Sequence, residues 1–214
     1  MMADSKVSAA IADVKRESAA AELAGYLRKG ELALLLGAGV SRGLELPNWQ
    51  RLVEVCEEEC SISPDASLDL MKRMDVVRRS RKEFGDFHAV VHAALYRDLG
   101  GGDAYPDTML QNRMLIALGA LVMSSVRGSV TDVLTLNFDD VLDWYLHLHG
   151  FKTQVVTDLP TLVSASVDVR LLHLHGFLPL SPRFDESDWL VLTYDDLTKR
   201  LSPGGGPWTT TISA

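Results

Sequence analysis

Two cysteines in 214 residues, Cys56 and Cys60, leave no material for a disulfide framework or a four-cysteine zinc module. Their i, i+4 spacing makes them neighbours on a predicted helix, and reduced thiols are the default. Long apolar runs are also missing. The longest obvious one, Leu32 to Leu36, is strand length, far short of the ~18 residues of a membrane span. Met1 to Lys15 mixes charges with alanines and lacks the apolar core of a signal peptide, so a cytoplasmic protein with no membrane partner is predicted. Positive charge is in deficit: 21 Lys and Arg against 29 Asp and Glu give a net charge of −8 and a pI near 5.2. That balance counts against a duplex-DNA binder, and no direct nucleic-acid binding is expected. One basic cluster, Lys72, Arg73, Arg78, Arg79, Arg81 and Lys82, reads as a solvated helix face. What remains is ordinary for a globular domain, with 47% apolar and 23% charged residues.

The chain fits one domain with a small helical insertion. Residues 5–29 predict a helix, with Val7, Ile11, Val14, Leu23 and Leu27 at roughly helical spacing. Its short apolar face suits either oligomerisation or packing on the chain's own sheet. Gly30 closes it, and Glu31 to Leu36 predicts a strand buried on both faces of a parallel sheet. Pro47 opens a helix to about Cys60, with Trp49, Leu52, Val53 and Cys56 on one side. Residues 66–127 show no convincing strand and predict two or three helices, broken near Gly100 to Gly102 and Pro106. Strands are predicted again at Val133 to Leu136, Thr153 to Val156, Val169 to His175 and Trp189 to Thr193, with a helix from Phe138 to His149. Strands alternating with helices predict a parallel sheet with helices on both faces, and residues 66–127 are then an all-helical insertion. The ending, 201–214, reads as an irregular tail cut short.

Three constellations could carry chemistry. Gly37-Ala38-Gly39-Val40-Ser41 follows the first buried strand, where glycines admit a close ligand and amides at a helix start receive phosphate oxygens. The dehydrogenase fingerprint wants a third glycine at the position of Arg42, and no second strand ending in an acidic residue follows. The loop alone is as readily structural as functional. Asn137-Phe138-Asp139-Asp140 sits at the carboxyl end of a strand, where open α/β sheets bind ligands, although Asn137, Asp139 and Asp140 equally suit helix capping. His173-Leu174-His175-Gly176 ends another strand. His175 could move a proton near neutrality, while His173 reads as a packed interior histidine. A metal would need a further ligand that no motif supplies, and none is expected.

The order Gly-Ala-Gly-x-Ser, Asn-x-Asp, His-Gly resembles the sirtuin superfamily over roughly residues 31–200. Within it, the chain is more similar to the sirtuin-like NAD hydrolases of bacterial anti-phage defence than to protein deacylases. The zinc cysteines of the deacylases are missing, and Pro47-Asn48-Trp49-Gln50 stands where they carry Pro-Asp-Phe-Arg. The resemblance implies a Rossmann-like α/β domain that takes NAD as its substrate. Gly37, Ala38, Gly39 and Ser41 would hold the pyrophosphate and nearby ribose, and Asp139 the carboxamide end. Asn137 would hold the nicotinamide ribose and orient water, with His175 as acid/base. The implied reaction cleaves the nicotinamide–ribose bond through an oxocarbenium-like state, and releases nicotinamide and ADP-ribose. It also implies control by assembly, as a homo-oligomer or with a co-encoded defence partner. A Gly-x-Ser-x-x-Asp segment that the family places after the Tyr194 region is absent by Ala214, which leaves open a longer protein or a partner that supplies it. The alternatives are a regulatory or scaffold module that binds NAD or ADP-ribose, and, less favoured, a deacylase.

Overall fold

A computed structural model of the chain describes residues 2–81, 84–99, 105–123, 129–157, 166–181 and 190–201. Four strands, β1 (Leu34–Leu36), β2 (Asp132–Thr135), β3 (Thr153–Val156) and β4 (Val169–His173), form one sheet of order β1-β2-β4-β3, parallel throughout. Eight α-helices accompany it among the described residues: α1 (Met2–Lys29), α2 (Trp49–Glu59), α3 (Leu70–Ser80), α4 (Phe84–Leu95), α5 (Tyr105–Gln111), α6 (Arg113–Val122), α7 (Val141–Leu148) and α8 (Tyr194–Leu201). The architecture is mixed α/β and Rossmann-like. No described helix is long and apolar enough to cross a membrane.

Registry decides which side chains share a face. Leu34, Val133 and Leu171 pair across β1, β2 and β4, and Val133 and Leu171 are fully buried. They join one hydrophobic cluster with Leu52 and Val53 of α2, Met74 of α3, Phe87 of α4, Leu115 of α6 and Leu146 of α7. The helices between 66 and 123 thus share their core with the sheet. The other face is less covered. Leu35, expected to be buried on a two-sided strand, is 67% exposed, because β1 is the sheet's edge and takes only β2 as a neighbour.

Four helices occupy the segment expected to hold two or three. The extra division falls at Asn112, whose side chain accepts from the Met114 and Leu115 amides and so starts α6 afresh. Asn48 and Asp69 cap α2 and α3 in the same way. The glycine run at 100–102 lies outside the described residues, as do Trp189 and the 202–214 tail. Residues 190–193 are buried but do not form a strand. Val191 makes one ladder-like bond to the His175 carbonyl (2.8 Å). Thr193 then starts α8 in a capping box: its amide donates to the Asp196 carboxylate (3.0 Å), and the Asp196 amide to its hydroxyl (3.3 Å).

The basic cluster is a solvated face only in part: Lys72 and Arg79 are exposed, and Lys82 lies outside the described residues. Arg73 forks onto Glu57 of α2 (2.8 and 2.5 Å), Arg78 onto Asp196 of α8 (2.8 and 2.8 Å), and Arg81 reaches Cys60 Sγ (3.2 Å). These arginines clamp α3 to its neighbours, and Lys72 pairs locally with Asp69. In helix α1 the side chains are described for residues 15–29 and are almost all exposed: Leu23 and Tyr26 face solvent, and Leu27 packs on the core, while Val7, Ile11 and Val14 lie outside the described side chains.

Candidate functional site

Parallel pairing brings the three motifs together. Leu36, Thr135 and His173 form one cross-strand row at the carboxyl ends of β1, β2 and β4. The next residues continue the ladder, with the Leu136 amide on the Leu36 carbonyl (3.0 Å) and the Leu174 amide on the Thr135 carbonyl (2.9 Å). The loops leaving that row are Gly37–Ser41, Leu136–Asp140 and Leu174–Gly176. Ligand sites of open α/β sheets lie at such an edge.

A cavity of about 440 Å³ opens there, within the range of small-molecule clefts. Gly37, Ala38, Ser41, Asn137, Asp139 and His175 all reach its wall. Gly39 is on the same loop but not on that wall. The remaining wall is mostly apolar: Trp49 and Leu52 of α2, noted in the sequence on one side of a predicted helix and, for Trp49, within Pro47–Gln50, contribute with Met71 of α3, Leu95 of α4 and Leu197 of α8. Their helical spacing reads as core, and only the fold turns them toward a cleft.

The Gly37–Ser41 loop departs from expectation in its exit. It leads into a single 3-10 turn, Arg42–Leu44, and not directly into an α-helix. The Val40 and Arg42 amides already donate to the Gly37 and Ala38 carbonyls (3.1 Å each), so they are not presented as a helix-end anion cradle. The fold itself does not require glycine here: a Cβ at Gly37 or Gly39 would meet nothing within 4 Å.

Ser41, Asn137 and Asp139 form one polar network. The Ser41 hydroxyl donates to the Asp139 carboxylate (2.9 Å to either oxygen), and the Asn137 side-chain nitrogen donates to Ser41 Oγ (3.1 Å). Since the hydroxyl proton goes to a carboxylate, Ser41 must accept from Asn137, which fixes the amide's orientation. Asp139 also accepts from the Val141 amide (3.2 Å) at the start of α7, so it caps the helix as well as lining the cleft. Burial pushes its carboxyl up to about 6, against the lowering effect of Ser41. A carboxyl raised in the fold binds its proton where the unfolded chain has lost it. Asp139 therefore favours the folded state most below its ordinary range near 3.8, and that contribution is lost as pH rises through about 6. The stability of the parent relative to Asp139→Asn, from urea unfolding between pH 4 and 7.5, should fall across that window. A difference independent of pH would refute the assignment.

His175 is half-buried on the cavity wall, tilted against Phe138 (ring centroids 6.3 Å). Desolvation lowers its pKa, which keeps the imidazole neutral at pH 7. It does not lie in the strand as the alternation suggested: β4 ends at His173, and Leu174 and His175 form a turn. Gly176 closes the turn at φ +98°, a conformation that L side chains rarely adopt. The following loop is held from the helical segment. Tyr96 donates to the Leu178 carbonyl (2.6 Å), His92 Nε2 to the Pro179 and Leu180 carbonyls (3.1 and 3.0 Å), and Asp140 accepts from the Leu180 amide (3.0 Å) and Trp144 (3.0 Å). Asp140 belongs to the Asn137–Asp140 motif, whereas Tyr96 and His92 carry no motif in the sequence, because their partners lie 82 to 88 positions away. Among the described residues no group of three His, Cys, Asp or Glu could hold a metal.

Fold and site together define an α/β protein with a Rossmann-like parallel sheet and a ligand-sized cleft at its strand ends. No protein-family model matches the chain, and no curated protein is similar to it in sequence.

Proposed function

We propose that the protein is an NAD glycohydrolase of the sirtuin-like kind, cleaving the nicotinamide–ribose bond to give nicotinamide and ADP-ribose. The observation that carries this reading is the convergence of Ser41, Asn137, Asp139 and His175 on one cleft, from three segments whose motifs occur in the order of that family. The cleft fits the substrate in part. Its apolar wall of Trp49, Leu52 and Phe138 suits a flat aromatic base, its polar end suits a ribose, and its volume suits one nucleoside half better than a whole dinucleotide.

The chemistry needed of the chain is modest. NAD brings a cationic leaving group, so the C–N bond breaks with its electron pair going to the nicotinamide nitrogen. Asn137, with its nitrogen held by Ser41, presents its carbonyl oxygen to accept a hydrogen bond from water and aims that water at the anomeric carbon. His175, neutral and with no hydrogen bond to its ring among the described residues, takes the proton as the new C–O bond forms. The test is NAD consumption by the purified chain, alone and with a co-encoded partner, followed by nicotinamide release. Turnover supports the hydrolase. Saturable binding of NAD or ADP-ribose without turnover would replace it with a regulatory module, and neither would sink both.

A role in anti-phage defence by NAD depletion, under the control of assembly, belongs to the same proposal. Helix α6 supports assembly as a homo-oligomer. Apart from Arg113 it carries no charge, and Met114, Ile116 and Met123 beside it are exposed, as is Leu110 on α5. A helix apolar on all sides is normally covered. Ile116→Glu with Met123→Glu should reduce the mass seen by light scattering to that of one chain. An unchanged mass, whether one chain or several, would remove α6 from the assembly.

A further inference from the structure

We propose that Thr135 and His173 are a positioning pair for Asn137, holding the two ends of its backbone so that its side chain keeps one place in the cleft. The two residues are partners in the β2–β4 register and so stand side by side on the same face of the sheet. Thr135 Oγ1 accepts from the Asn137 amide (3.0 Å), and His173 Nδ1 donates to the Asn137 carbonyl (2.9 Å). One residue is thus gripped at its N–H and its C=O by two neighbouring strands. Side-chain bonds to a loop backbone replace the ladder at the point where β2 stops pairing.

The His173 ring has a single workable protonation. A carbonyl only accepts, so Nδ1 carries the hydrogen. The ring is 3% exposed and packs edge-on against Phe177 (4.7 Å), and burial pushes its pKa down to about 4, which keeps it uncharged at neutral pH. A small cavity of about 20 Å³ behind the cleft is walled by Ser41, Thr135, Asp139 and His173 among others. The pair therefore backs the same polar network that fixes the Asn137 amide. A leucine at 173 would fill a core position well, so a polar residue there calls for an explanation, and the grip on Asn137 supplies it.

The kinetic consequence rests on the hydrolase reading, whereas the structural one does not, so two readouts on the full chain keep them apart. His173→Leu should lower kcat by roughly 10- to 100-fold with KM little changed, the size expected when a reacting group is misplaced by about an ångström. His173→Asn, whose amide nitrogen lies as far from the backbone as Nδ1, should recover most of the loss. Thr135→Val removes the other grip without changing shape and carries the test if His173→Leu fails to fold. In 15N spectra without NAD, the Asn137 backbone and side-chain amide signals should move in His173→Leu and return in His173→Asn. Unmoved signals, or an Asn variant no better than Leu, overturn the proposal. If the parent does not turn over NAD, the ligand-free spectra alone decide it.

Discussion

Asn137→Ala should lower NAD turnover at least ~100-fold, and His175→Ala should do the same, the range that positioned acid–base groups contribute. The two losses have different physical origins. Without Asn137 the water loses its acceptor, and Ser41 Oγ loses the donor that it accepts from. Without His175 the water keeps its position but has no base among the described residues of the wall, because Asp139 is already engaged by Ser41 and the Val141 amide. As the two groups act on the same water in one step, the double variant should be little worse than either single one. Steady-state kinetics with nicotinamide release, together with thermal unfolding of each variant, make the check. Either single variant retaining near-parental kcat would remove that residue from the mechanism. Losses that multiply in the double variant would show that the two groups act in separate steps.

Local chemistry carried much of the fold. The apolar run within Glu31 to Leu36 and the alternating stretch from Val169 to His175 announced strands, and the strand–glycine junctions announced where loops would leave the sheet. Three features were not legible, each for a physical reason. The end of β4 could not be placed, because Leu-His-Leu-His alternates whether or not the chain turns; Gly176 at φ +98° settles the turn, and only backbone geometry reveals it. The exposure of Leu35 depends on β1 having one neighbour, a property of strand order that an apolar run does not encode. Arg73 and Arg78 of α3 looked solvated because their partners, Glu57 and Asp196, are distant in sequence. The candidate site divides along the same line. Its motif residues could be named from spacing, but Tyr96 and His92, which anchor the loop after His175, act through long-range bonds to backbone groups. His173 was visible as an interior histidine, yet its bond to the Asn137 carbonyl required the parallel register.

Removing Arg73 should cost the fold about 1–3 kcal/mol, between the ranges for an exposed and a fully buried ion pair. Glu57 lies on the inner face of α2 with its side chain 3% exposed, and Arg73 covers it at 12%. Two parallel bonds join them (2.8 and 2.5 Å). Arg73→Leu would leave the carboxylate without its counter-charge on the wall of a surface pocket that Glu57 and Arg73 line together. Arg73→Leu combined with Glu57→Leu should recover much of the loss, because an apolar pair of similar volume removes the uncompensated charge. The surface pair of Arg51 with Glu58, with both side chains more than a third exposed, supplies the contrast: Arg51→Ala should change stability by less than about 1 kcal/mol. Urea unfolding of the three variants and the parent separates these cases. An Arg73→Leu protein as stable as the parent would mean that Glu57 finds water in the folded state, and a double variant no better than the single would mean that packing, not charge, holds α2 to α3. Since Trp49 and Leu52 of α2 and Met71 of α3 line the cleft, Arg73→Leu should also weaken ligand binding there, and rescue of stability by the double variant should restore it.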